Sequence, residues 1–314
     1  MTEICQGKIL LYWAISSAAA LVLSPLLIGV INKIKAFFAG RRGPRLLQLY
    51  WDLAKYFRKD RLYSSTTNWI FRLAPAVSLT GILLALLLLP GGTQPSPVFF
   101  DGDVILFCYL LGMGRLLTVL AALDTGSSFA GMGAARELTF AVLAEAALLG
   151  AVGYLVLHTG SLSLSHLLIG AQLNGGQLDC TAMVLIEFAL MIVLLTECCR
   201  VPVDDPETHL ELTMIHEAMV LDYGSSDLAL VLYGAALKLW LFASLVVLVL
   251  LPLPSVGMTG NLILHIAGVF AVAILVGVFE SIMARFRLLK LPLLQAGAFG
   301  STMLAVLLKI IFTG

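Results

Sequence analysis

The chain has 314 residues, 60% of them hydrophobic and only 12% charged, with a mean hydropathy of +1.00. A soluble domain carries about twice that share of charge, because a polar shell must face water, so a water-soluble globule is excluded. Lys plus Arg balance Asp plus Glu at 19 each; a net charge of zero leaves no electrostatic footprint for nucleic acid, and uniform apolarity excludes disorder. Cys5, Cys108, Cys180, Cys198 and Cys199 form no CxxC pair and no metal-ligand spacing. They read as small buried apolar residues, with no disulfide framework and no iron–sulfur site on this chain.

In lipid every backbone amide must find its partner inside its own helix, and a crossing takes about 20 apolar residues. Eight stretches qualify, at about residues 9–31, 73–89, 104–123, 138–157, 181–195, 228–251, 262–279 and 291–312. The expected fold is an all-α integral membrane bundle of eight transmembrane helices, a single membrane domain over residues 1–314. Only Lys8 precedes the first stretch and no Ala-x-Ala-like cleavage site follows it, so a permanent helix is expected.

Cytoplasmic loops retain Lys and Arg. The loop after the first span is rich in them, from Lys33 and Lys35 to Arg61 and Arg72; the loops after spans three, five and seven hold Arg136, then Arg200, then Arg285, Arg287 and Lys290. The loops after spans two, four and six hold none. This asymmetry predicts both termini outside the cytoplasm, with long cytoplasmic loops at about 32–72 and 198–227.

Both long loops are patterned. Leu46, Leu47, Tyr50, Trp51, Leu53, Ala54 and Phe57 recur at helical spacing, with Gln48, Asp52, Lys55, Arg58 and Lys59 on the other side, which predicts an amphipathic interfacial helix over 46–57. Pro44 suits its first turn and Gly43 the bend before it. Asp204, Asp205, Pro206 and Glu207 carry the cap, early Pro and first-turn acids of a second helix reaching about Val220. The outer loops 90–103 and 158–179 are rich in Gly, Ser and Pro with little charge, and read as exposed connectors.

Arg115, Glu145, Glu187, Glu197, Lys238 and Lys309 fall inside or at the rim of apolar spans. A charge at the bilayer centre costs on the order of 3 kcal/mol even on mild insertion scales, so such residues face one another or a hydrated cavity. Lys309 is expected to snorkel to the outer interface. Glu145, midway along its span, is the strongest candidate for a carboxyl that takes and releases a proton. The densest charged stretch runs from Glu197 through Arg200, Asp204, Glu207 and Glu211 to His216, Glu217 and Asp222. His209 and His216 with Cys198 and Cys199 match no standard zinc spacing.

Taken together, three motifs resemble the membrane subunit shared by respiratory complex I and the group 4 membrane-bound nickel–iron hydrogenases. They are Arg41-Arg42-Gly43-Pro44 with Gln48, Tyr50, Asp52 and Lys55; Asp124-Thr-Gly-Ser through Ala135-Arg136-Glu137 to Glu145; and Glu197-x-x-Arg200-x-Pro202-x-Asp204-x-x-Glu207-x-x-x-Glu211. Glu280-Ser-x-x-Ala-Arg285-x-Arg287 follows the seventh span. The resemblance covers nearly the whole chain. Where complex I members follow the Gly-Pro with Asn and Gly, this chain has Arg45, Leu46, Leu47 and Gln48, so the hydrogenase-like branch, including formate hydrogenlyase and hydrogenase-4, fits better.

The resemblance implies a subunit at the junction of a redox arm and an ion-translocating arm in the inner cell membrane. By that resemblance its proton path would use Glu145, Glu197, Asp204, Glu207 and Glu211, with Arg200 as a charge partner; the charges in and beside the apolar spans add Glu187 to the path and Arg115, Arg136 and Lys238 to the charge partners. Arg41, Arg42, Pro44, Asp52 and Lys55 would help dock the redox arm. Iron–sulfur clusters and a nickel–iron centre would lie in partner hydrogenase large and small subunits and iron–sulfur subunits, beside antiporter-like membrane subunits, with no cofactor on this chain. A quinone-reducing complex I subunit and a cation or proton transporter are the competing readings. The transporter reading lacks the internal repeat common in such folds.

Overall fold

The computed structural model describes residues 2–92, 94–173, 177–204, 214–250, 257–284, 286 and 288–313. Among them the α-helices run, in chain order, α1 (Thr2–Phe38), α2 (Gln48–Tyr56), α3 (Trp69–Leu88), α4 (Asp103–Asp124), α5 (Ser128–Thr159), α6 (Leu164–Leu173), α7 (Gln177–Glu197), α8 (His216–Val220), α9 (Ser225–Leu250), α10 (Met258–Ile282) and α11 (Leu291–Thr313). Eight of these, α1, α3, α4, α5, α7, α9, α10 and α11, are long and apolar enough to cross a membrane. The chain is a multi-pass all-α membrane protein.

A helix that is apolar on every side belongs inside, and α9 is that helix. Ala236, Leu237 and every residue from Leu239 to Val249 are buried, and α9 packs against α1, α3, α7 and α10, while α11 packs on α5 and α7. Side chains tie the connections into two ends. At one end Arg61 Nε donates to Ser226 Oγ at 2.6 Å, Tyr63 Oη to Asp227 at 2.7 Å and Asn68 Nδ2 to Asp124 at 2.7 Å. The Phe286 N–H also reaches the Pro202 carbonyl there, at 3.2 Å.

The other end departs from the bare connectors expected. Asp103 is fully buried, accepts the Leu164 N–H and a 3.2 Å hydrogen bond from Ser163 Oγ, and so seats the start of α6 in a segment whose composition reads as a loop. Leu164, Leu167 and Leu168 are buried there, and Ser165 Oγ accepts from the Ser96 N–H at 3.0 Å. A capping partner 61 residues away in sequence leaves no local signal.

Helix α1 contains Pro25, which has no N–H to offer the Leu21 carbonyl one turn earlier. Tyr233 Oη on α9 donates to that carbonyl at 2.9 Å, and Tyr50 Oη on α2 donates to the Val22 carbonyl beside it. Tyr233 thus replaces the donor that proline removes, and the two tyrosines fasten α2 and α9 to α1. Close approach of this segment requires Gly29, where a Cβ would overlap the Leu46 carbonyl.

Other helix boundaries also differ from expectation. Pro44 lies four residues ahead of α2 rather than in its first turn, because residues 46 and 47 form a turn against Gly29. On α2 Leu53 is buried while Trp51 is exposed, as are Leu46, Leu47 and Phe57 beside the helix. Helix α5 starts ten residues before the apolar stretch expected, since Gly133 lets it run close against Ile215 and Ala218. The helix expected over 204–220 is not continuous: Met214 and Ile215 are non-helical and α8 begins at His216. Residues 205–213 lie outside the described residues.

Candidate functional site

Four membrane helices bring their charges to one point. Arg115 stands nine residues before the end of α4, where Gly114 lets α3 come close: a Cβ there would lie 3.2 Å from Ser78 Oγ. Helix α5 supplies Glu137 and Glu145, eight residues and about 12 Å apart along the axis, and the guanidinium spans them. Its Nη1 donates to Glu145 Oε1 at 2.5 Å and its Nε lies 4.0 Å from Glu137 Oε1. Nη2 donates to Glu197 Oε1 at the end of α7. The other oxygen of Glu197 lies 2.8 Å from Lys238 Nζ on α9.

Burial is uneven across this cluster. The Glu197 side chain is 3% exposed and that of Glu145 46%, so the network runs from a sealed interior towards an accessible face. Among the described residues three carboxylates face two cations. With all ionised, one negative charge is in surplus, and a proton can occupy the surplus site and move when a neighbour's charge changes. A cavity of about 90 Å³ lies alongside, lined on its polar wall by Arg115, Glu137, Glu197, Lys238 and His216. It has room and polar partners for several waters.

His216 opens α8, and burial, reinforced by Lys238, pulls its pKa down to about 4; it is a neutral imidazole at pH 7. Burial pushes the Cys198 thiol up to about 12 and Cys199 well above its ordinary value, so both stay as thiols on the cavity wall. Asp204 is buried, and its Oδ2 accepts from the Ile215 and His216 N–H groups at 3.2 and 3.1 Å. It therefore anchors the start of α8 from the far side of the loop.

A second ionic group lies where α1, α10 and the turn after α7 meet. The Glu280 carboxylate has 0% side-chain exposure, with Lys35 Nζ 3.4 Å from Oε2 and Arg200 Nη1 3.6 Å from Oε1.

The candidates read from sequence thus separate. Glu145, Glu197, Arg115 and Lys238 come together. Glu187 sits ten residues before Glu197, about 15 Å along α7, with its buried Oε2 lacking a hydrogen-bond partner among the described residues. Arg136 donates to the Met214 carbonyl at 3.2 Å, and Arg200 pairs with Glu280 at 3.6 Å rather than with the carboxylates around Arg115. Arg41, Arg42, Pro44 and Lys55 are exposed, and Asp52 accepts a 3.1 Å hydrogen bond from Gln48. Glu207 and Glu211 lie outside the described residues. Sequence reasoning passed over Glu137, Lys35 and Glu280 as site residues, although Glu137 shares a helix with Glu145 and Glu280 ends an apolar span. Among the described residues no three His, Cys, Asp or Glu side chains converge as a metal site.

Residues 10–312 match the family described as NADH dehydrogenase (NADHdh). The chain is 32% identical over 292 residues to hydrogenase-4 component C of Escherichia coli, covering 91% of each chain. It is 29% identical over 301 residues to formate hydrogenlyase subunit 4 of the same organism, covering 94% of this chain and 97% of that one. An NADH-quinone oxidoreductase subunit of Methylococcus capsulatus is 25% identical over 207 residues, 62% of this chain and 63% of its own. The fold is shared with a chain in the structure of the membrane-bound sulfane sulfur reductase, an archaeal respiratory membrane complex, at a TM-score of 0.79 and 21% identity over 95% of this chain and 99% of the other. With its eight spans and the match over 10–312, this chain belongs to the NADHdh family of membrane subunits that includes those of complex I, hydrogenase-4 and formate hydrogenlyase.

Proposed function

We propose that this chain is the membrane subunit of an ion-translocating, group 4 nickel–iron hydrogenase-type complex, where it docks the redox arm and couples electron transfer to the movement of protons or sodium ions. The observation that carries this reading is the buried set of Glu137, Glu145 and Glu197 around Arg115 and Lys238, beside a cavity with room for water. A purely structural anchor has no use for a surplus carboxylate. An electron arriving in a partner subunit changes the field at the end of the bundle where residues 39–68 and 198–204 lie; the cluster answers by exchanging a proton, and Glu145 passes it to the accessible face. Glu187, Asp204, Glu207 and Glu211 extend this path, with Arg136 and Arg200 as counter-charges.

The basic exposed segment around Arg41, Arg42, Arg45 and Lys55, with helix α2 amphipathic at the interface, forms the docking rim on the cytoplasmic side of the inner membrane. Both termini then lie on the opposite side. Hydrogenase large and small subunits and iron–sulfur subunits hold the redox centres, and antiporter-like subunits continue the membrane arm. The test is the assembled complex in proteoliposomes, with methyl-viologen-linked hydrogen turnover measured beside pH-gradient formation and ²²Na⁺ uptake. Glu145→Gln keeps shape and hydrogen bonding but cannot carry the charge, so ion movement per turnover should fall while assembly persists. Ion movement equal to wild type would leave the cluster as a static ion pair.

A further inference from the structure

The Lys35–Glu280–Arg200 group is not part of the path just described, yet it joins the two segments that path depends on. We propose that Glu280 is a positioning residue: by holding Arg200 while also facing Lys35, it transmits displacement of the docking segment after α1 to the turn after α7 that carries Asp204. The inference rests on the ion-coupling role assigned above.

The connections on either side of Glu280 are physical. One turn before it, Gly277 lies against α1, where a Cβ would come within 3.1 Å of Ile34 Cβ, so the end of α10 follows the end of α1. The end of α1 in turn follows the docking segment, since Lys33 Nζ donates to the Arg42 carbonyl at 2.8 Å and Gly29 abuts Leu46. On the far side the Phe286 N–H holds the Pro202 carbonyl. The Arg200 carbonyl accepts from the N–H groups of Val203 at 2.9 Å and Asp204 at 3.3 Å. Arg200 is therefore built into the turn that places Asp204, and it stands three residues after Glu197.

What makes Glu280 a transmitter rather than a clamp is how its cations are held. Both carboxylate oxygens are buried without a hydrogen-bond partner among the described residues. The two cations stand at 3.4 and 3.6 Å, beyond the roughly 2.7–2.9 Å of a charge-assisted hydrogen bond. One carboxylate is shared between two cations and locked to neither. A shift that draws Lys35 onto Glu280 loosens Arg200 and the turn it is built into, which carries Asp204 four residues on and follows Glu197 by three; a shift that withdraws Lys35 tightens Arg200 on Glu280. This is a two-state element that both ends can bias, which is what coupling between separated sites requires.

The test uses the assembled complex in proteoliposomes, with hydrogen turnover on methyl viologen and the pH gradient or ²²Na⁺ uptake read together, and subunit content checked on native gels. Glu280→Gln and Lys35→Gln should each leave assembly and turnover within about twofold of wild type and lower ion movement per turnover about fivefold or more. Ion movement per turnover within twofold of wild type in either variant would overturn the proposal. So would a parallel fall of turnover and ion movement, the signature of a plain structural anchor. If Glu280→Gln fails to assemble, Glu280→Asp keeps the charge and shortens its reach by one methylene; it should assemble and lose coupling in the same direction, and full coupling there overturns the proposal. A wild-type complex that moves no ions would overturn the ion-coupling role and this inference with it, whereas ion movement in wild type and undiminished movement in the variants overturns the inference alone.

Discussion

Replacing Arg115 by Met removes the cation that, among the described residues, reaches all three carboxylates of the central cluster. Truncating one member of a buried ion pair costs about 3–5 kcal/mol, because the partner charge is left without compensation. The geometry places this substitution near the lower end. Glu197 keeps Lys238 at 2.8 Å, and Glu145, with 46% of its side chain outside the bundle, is the least enclosed of the three carboxylates. The loss falls mainly on Glu137, which has 14% exposure and loses a cation at 4.0 Å, and on the Glu197 oxygen that faced Nη2. About 3 kcal/mol is therefore expected for Arg115→Met, against less than about 1 kcal/mol for Glu145→Gln, whose amide oxygen still accepts from Arg115 at a half-exposed position. Cys198 and Cys199 line the adjoining cavity and report its opening. With Cys5, Cys108 and Cys180 replaced by alanine, maleimide labelling in mild detergent should accelerate by a factor on the order of 100 in Arg115→Met, at tenfold per 1.4 kcal/mol, and by less than about fivefold in Glu145→Gln. Equal labelling rates in the two variants, or no acceleration in Arg115→Met, would refute the assignment of Arg115 as the electrostatic centre.

Tyr233→Phe should destabilise the bundle by about 1–3 kcal/mol, since the Leu21 carbonyl loses its donor where Pro25 supplies none; in a Pro25→Ala background the restored N–H should erase that cost, and an undiminished cost measured by thermal unfolding in detergent would refute the pairing. The acid dependence follows from His216. Its pKa near 4 lies below that of an exposed imidazole, about 6.5, so the unfolded chain takes the proton first and stability is complete above that value and lost as pH falls towards 4. Melting temperatures at pH 7 and pH 5 should differ less in His216→Gln than in wild type; an equal difference would show that the imidazole is not the titrating group.

Eight spans were legible in the sequence because a membrane-crossing helix satisfies its own backbone and announces itself by unbroken apolarity, a local property. The charges inside those spans were legible for the same reason, each standing out against its apolar run, and this singled out Arg115, Glu145, Glu197 and Lys238 one by one. Their partnership was not legible. Arg115 meets Glu145 across 30 residues and Glu197 across 82, and Lys35 meets Glu280 from the opposite end of the chain; pairing between helices depends on which faces the bundle turns inward. The same limit hid Asp103 under Leu164, the tyrosines that cover the carbonyls around Pro25, and the break ahead of α8, each a polar group satisfied by a distant segment. Composition and hydropathy record what each segment must bury. Long-range packing determines against what it is buried, and thereby which carboxylates share a cation and which stand apart.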